Sequence, residues 1–106
     1  MSPKTQAILS ELRPRLEAIY GDRLVKLVLF GSQARGDADP ESDIDVLVVL
    51  KGKVNPWDEI PRGGEATAAL SLKHDVVISS TYISEERYNS EQSPLLNNAR
   101  REGIAA

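Results

Sequence analysis

The sequence predicts a layered α/β or α+β domain, and three observations lead there. Short apolar runs with strand character alternate with segments of helical periodicity along the chain. One run, "DIDVLVVL" at 43–50, is apolar throughout once past its two acids, as in a strand buried on both faces. The length of 106 residues, 41% apolar and 27% charged, fits a single domain over residues 1–106 with one modest core.

Residues 3–20 are expected to form an amphipathic helix. Ile8, Leu9, Leu12, Leu16, Ile19 and Tyr20 recur at helical spacing. Ser2 and Pro3 suit its cap and first turn, and Gly21 its end. Pro14 removes a backbone donor mid-helix and is expected to kink or break the ladder. "LVKLVLF" at 24–30 reads as a strand. "GSQARG" leaves room for one helical turn, and "DADPES" is turn material. Residues 43–50 form the second strand. Residues 51–64 carry the breakers Pro56, Pro61, Gly63 and Gly64, so a helix is expected only from about Glu65 to Leu72. "DVVIS" at 75–79 reads as a third strand opened by an aspartate. "SPLLNNARREG" predicts a last helix, with Ser93 as cap, Pro94 in the first turn, Arg100 and Arg101 in the last turn and Gly103 as stop.

Composition narrows the function classes. A net charge of −3 argues against a protein that coats nucleic acid through a general basic field, so no direct nucleic-acid binding is expected. A local site for nucleotide phosphates stays open. With no cysteine and one histidine, His74, a metal here would rest on oxygen ligands. No apolar stretch approaches the roughly 20 residues that span a bilayer. The N-terminus has no signal-peptide core and carries acidic residues. A soluble cytoplasmic protein is expected.

Asp43 and Asp45 alternate with Ile44, so both carboxylates point to one face of the second strand. Their α-carbons sit roughly 6.5–7 Å apart. Holding them there unpaired is unfavourable through repulsion and desolvation. A divalent cation such as Mg²⁺, which takes oxygen ligands, removes that penalty. Asp75 could complete a triad if the third strand neighbours the second. Two metals could then clamp an in-line phosphoryl or nucleotidyl transfer. Taken singly, these aspartates also suit ordinary strand starts.

Gly31 and Ser32 stand where a strand gives way to a helical turn. Backbone N–H groups there favour anions, and glycine lets a phosphate approach closely. Ser32 can donate to a phosphate oxygen, and Arg35 lies on the same side of the turn. Alone, the pair reads equally as a strand terminator and helix cap. Together with Asp-x-Asp ten residues later, it points to phosphate chemistry. The G-x-x-x-x-G-K-[ST] phosphate loop is absent.

Gly31-Ser32, Asp43-Ile44-Asp45 and Asp75, with Arg35 as the basic residue after Gly-Ser, resemble the signature of the nucleotidyltransferase superfamily that includes DNA polymerase β. The tail "SPLLNNARREGI" and the length are similar to its minimal nucleotidyltransferases. The resemblance implies the nucleotidyltransferase fold, a small mixed sheet flanked by helices. It implies ATP as substrate and two Mg²⁺ ions held by Asp43, Asp45 and Asp75, with Gly31, Ser32 and Arg35 on the phosphates. It further implies an antitoxin that transfers AMP to a tyrosine of a HEPN-type toxin ribonuclease. The rival readings are an antitoxin that only masks its toxin and a small-molecule nucleotidyltransferase of the aminoglycoside type. Residues 51–64 do not map onto the family.

Of the remaining residues, His74 could tune Asp75 or sit partly exposed in a loop. Trp57, Tyr82 and Tyr88 could form a partner surface or pack, and packing is expected for Tyr82. Arg100 and Arg101 suit the end of a helix.

Overall fold

Strand β2 (Ile44–Leu50) lies inside the sheet, and the other elements are laid around it. The computed structural model describes residues 2–31, 34 and 43–106. Helix α1 (Pro3–Tyr20) leads through one 3-10 turn into β1 (Leu24–Phe30). After β2 come helix α2 (Pro56–His74), strand β3 (Ile78–Ser84), helices α3 (Glu85–Ser90) and α4 (Pro94–Glu102), and the short β4 (Ile104–Ala105). The sheet order is β3-β2-β1-β4. β1 pairs antiparallel with β2 and β4, while β2 and β3 run parallel. The parallel pair needs a crossover, and α2 supplies it. The result is the expected small mixed sheet flanked by helices.

Alternation along the strands sorts the core into two layers. Leu27, Leu29, Ile44, Val46, Val48 and Leu50 face α1 and α2. Val28, Leu47, Val49 and Ile83 meet Tyr88 of α3 and Leu96 and Ala99 of α4. The apolar run of β2 is therefore buried on both faces.

Helix α1 is capped as expected, with the Ser2 hydroxyl accepting from the Thr5 N–H at 3.1 Å. It buries Ile8, Leu9, Leu12, Leu16 and Tyr20, whereas Ile19 is exposed. The helix continues through Pro14, which removes one bond from its ladder, as expected, without ending it. Pro14 is exposed, so the carbonyl it leaves unpaired on that side can turn to water.

The largest departure is α2, which begins nine residues before the expected start at Glu65. Its breakers have other uses. The Asn55 side chain caps the helix by accepting from the Trp57 N–H at 3.1 Å, and Pro56 occupies the first turn, where no donor is needed. Pro61 is exposed. Gly63 is buried against Tyr82, whose ring atoms would lie 2.9 Å from a Cβ at that position. Tyr82 is buried, as expected, and so is Tyr88.

Both ends of α2 are anchored by charge. Near its start, Glu59 is only 2% exposed and lies 3.4 Å from Arg23 and 3.4 Å from Arg62. Arg23 also donates to the Lys53 carbonyl at 3.3 Å, which ties down the β2–α2 loop. At its end, Glu11 of α1 pairs with Lys73 and with His74 Nε2, the latter at 2.5 Å. His74 is thus the last residue of a helix and not a loop residue. In α4, Ser93 caps the helix, and Arg100 reaches back to the Glu91 carbonyl at 2.8 Å. The short α3 and β4 fall in stretches to which the sequence assigns no element.

Gly63 and Gly64 separate packing from helix propensity. A methyl at Gly63 meets the buried Tyr82 ring, so Gly63→Ala is expected to lower stability by about 1–3 kcal/mol. A methyl at Gly64 meets nothing within 4 Å, so Gly64→Ala is expected to raise it by up to about 1 kcal/mol. Urea unfolding of the two variants checks the opposite signs.

Candidate active site

Asp43 and Asp45 stand at the N-terminal mouth of β2, where β1 ends and β3 begins. Asp43 is exposed and Asp45 is half-buried, while Ile44 between them is 1% exposed and packs into the α1–α2 layer. The alternation read from the sequence is present. Asp45 is level with Phe30 on β1 and Ser79 on β3. Its side chain therefore rises between an aromatic and a hydroxyl neighbour. Ser79 carries no signal in the sequence, because only the register brings it to this level.

Gly31 closes β1 with a φ of 77°, a conformation open to glycine and strained for other residues. A Cβ on Gly31 would lie 2.8 Å from Asp45 Oδ2. The glycine thus makes room for the carboxylate as well as for a turn. The Ala34 N–H then donates to the Gly31 carbonyl at 3.1 Å, in keeping with the expected helical turn. Ser32 and Arg35, the other two proposed phosphate contacts, lie outside the described residues.

Burial raises the Asp45 carboxyl above its ordinary value, and the charge of Asp43 adds to the shift. The pair is a set of two hard oxygen ligands whose charges oppose each other. This is the chemistry that suits a divalent metal.

Asp75 sits elsewhere than expected. β3 opens at Ile78, three residues later, and Asp75 instead ends α2 in the left-handed conformation, with φ 53° and ψ 52°. Its N–H and that of Val76 both reach the Ser71 carbonyl. Aspartate tolerates this geometry better than most residues, which explains why a helix rather than a strand claims it. Two residues on, the Val77 carbonyl accepts from the Ile44 N–H at 2.8 Å, so Asp75 lies at the same end of the sheet as the pair. Among the described residues, no three acids or histidines gather into a metal-holding group. The structure thus brings Asp43 and Asp45 together beside Gly31 and leaves Asp75 on the approach to β3.

A cleft of about 990 Å³ opens at the opposite end of the sheet, lined by Arg23, Lys51, Lys53, Glu59, Arg62 and Arg87 among others. Among the described residues, none of the predicted site residues borders it. Its one buried acid, Glu59, already faces two arginines, so chemistry and not cavity size selects the Asp43–Asp45 end. No described helix is long and apolar enough to cross a membrane.

The raised Asp45 carboxyl fixes the sign of one prediction. Charging a group whose folded value lies above its unfolded value opposes folding, so this stability is lost as pH rises past the ordinary value of 3.8. In the presence of a chelator, Asp45→Asn is expected to be more stable than the wild type at pH 7. The gain is expected to vanish near pH 3. Urea titrations at the two pH values measure it.

A family model described as a nucleotidyltransferase domain matches residues 9–101. Over 72 residues the chain is 39% identical to "Putative protein adenylyltransferase MJ0141" of Methanocaldococcus jannaschii, a match covering 68% of this chain and 72% of that protein. A solved structure described as a toxin–antitoxin with AMP-PNP aligns with a TM-score of 0.61 at 19% identity, covering 89% of this chain and 68% of that one. Another is a tri-AMPylated Shewanella oneidensis HEPN toxin in complex with an MNT antitoxin. It aligns with a TM-score of 0.51 at 15% identity, covering 92% of this chain and 70% of that one. At these identities the two structures speak for the fold. The family match takes in Gly31, both acids of the β2 mouth and Asp75, and with it this chain belongs to the nucleotidyltransferase domain family.

Proposed function

We propose that this chain is the antitoxin of a toxin–antitoxin pair. It would transfer AMP from ATP to a hydroxyl, a tyrosine in our reading, of a cognate HEPN-type toxin in the cytoplasm. The observation that carries the reading is the Asp43–Asp45 pair, held on one face beside Gly31 with Asp45 resisting its own charge. The structural neighbours support the partner class, since one is a toxin–antitoxin with AMP-PNP and one contains an AMPylated HEPN toxin.

Asp43 and Asp45 are the residues that would hold Mg²⁺, and Asp75 is proposed as a third ligand. Bound there, the ions would neutralise charge on the triphosphate and acidify the acceptor hydroxyl. The Gly31 turn, with Ser32 and Arg35, is proposed to grip the β and γ phosphates. The acceptor oxygen forms a bond to the α-phosphorus, the bond from that phosphorus to the bridging oxygen breaks, and pyrophosphate leaves. Asp75 is proposed to take the hydroxyl proton.

Labelled AMP transfer to the co-expressed toxin tests the reading. Asp43→Asn and Asp45→Asn are each expected to reduce transfer by at least about 100-fold while the fold persists. Undiminished transfer by both would overturn it. Toxin neutralisation with no gain of AMP mass on the toxin would favour masking instead. Gly31→Ala keeps every acid but strains a positive φ and crowds Asp45. It is expected to lower stability by about 1–2 kcal/mol and to reduce transfer more than that loss of folded protein explains.

A further inference from the structure

Helix α2 has an apolar face on each side. One arc, with Glu59, Gly63, Ala66, Thr67 and Leu70, is buried against the body of the domain. The opposite arc carries Trp57, Ile60, Pro61, Ala68 and Leu72 within about 120° of the helix circumference. Trp57 is 84% exposed, Ile60 53% and Leu72 86%. Scattered exposed apolar residues are ordinary, but a continuous stripe along a two-sided helix marks a contact surface.

We infer that this stripe is the contact between two antiparallel copies of the chain. The stripe is complementary to itself, with bulk at both ends and small residues between. A two-fold axis between Gly64 and Glu65 sets Trp57 of one copy against Leu72 of the other. It also sets Pro61 against Ala68. Gly64 lies at the crossing, where a small residue lets two helix axes approach. On the flank the same axis brings Asp58 within two positions of the second copy's Lys73 and Glu65 within two of its Arg62, cations that also pair with Glu11 and Glu59 of their own chain. The exposed apolar area is roughly 500 Å² per copy. Two copies together reach the roughly 1,000 Å² that a specific interface needs. One contact then covers both stripes, as an isologous dimer requires. Leu72 lies three residues before Asp75, so the contact ends beside the candidate active site.

The test uses sedimentation velocity on the wild type from about 1 to 500 µM, a range suited to an interface of this size. The expected result is a doubling of mass with concentration. Over the same range the emission of Trp57, the one tryptophan, shifts to the blue and acrylamide quenching falls at least twofold. Leu72→Glu, at an exposed position, is expected to stay monomeric with unchanged unfolding. The chain has no cysteine, so single cysteines report geometry cleanly. Gly64→Cys is expected to form a disulfide-linked dimer under mild oxidation. Ala68→Cys is expected not to, because its counterpart is displaced about 10 Å along the axis. A monomeric wild type with solvent-exposed Trp57 throughout overturns the inference. So does cross-linking of Ala68→Cys as fast as Gly64→Cys, or burial of Trp57 only when a different protein is added. None of these outcomes depends on AMP transfer, so the proposed function stands or falls separately.

Discussion

The structure depends on the confinement of one strand. β2 is paired along both edges and packed on both faces, and every residue from Val46 to Leu50 is fully buried. No register slip is open to it, because a shift of one residue would carry Asp45 into the α1–α2 layer and Ile44 out of it. The two acids therefore stand where the core puts them, whether or not anything is bound. The half-burial that unsettles Asp45 is part of the same arrangement, since Phe30, Gly31 and Ser79 crowd the mouth of a strand that cannot move.

Helix α2 carries this rigidity across the domain. At one end of the sheet, Glu59 draws in Arg23 and Arg62. At the other, Glu11 holds Lys73 and His74, immediately before Asp75. Removing one partner from the buried Glu59 group would strand a charge, whereas the half-buried Glu11 group contributes mainly alignment. The position of Asp75 is thus set partly from α1, through side chains that take no part in the chemistry.

Much of this was legible in the chain, and the failures have physical reasons. The 43–50 run, the Gly31 turn and the opposed faces of Asp43 and Ile44 follow from period-two alternation, which burial enforces strictly. The start of α2 was not legible, because Pro56, Pro61 and Gly63 read as breakers in isolation. Pro56 is a first-turn residue, Pro61 is exposed, and Gly63 answers to Tyr82 nearly twenty residues away. The start of β3 was misplaced for a related reason. "DVVIS" has strand composition, yet its first residue is taken by the end of the helix. Ser79 beside Asp45, and the pairing of His74 with Glu11, arise only from register and helix packing.

The left-handed backbone at Asp75 gives that residue two occupations. Ending a helix in this conformation suits glycine, asparagine and aspartate, and penalises nearly everything else. An aspartate at this position would therefore persist in a chain that had lost its chemistry, held by the bend alone. At Asp45, by contrast, the charge works against the fold that holds it. Between the two, the residue that burdens the structure is the better witness to catalysis.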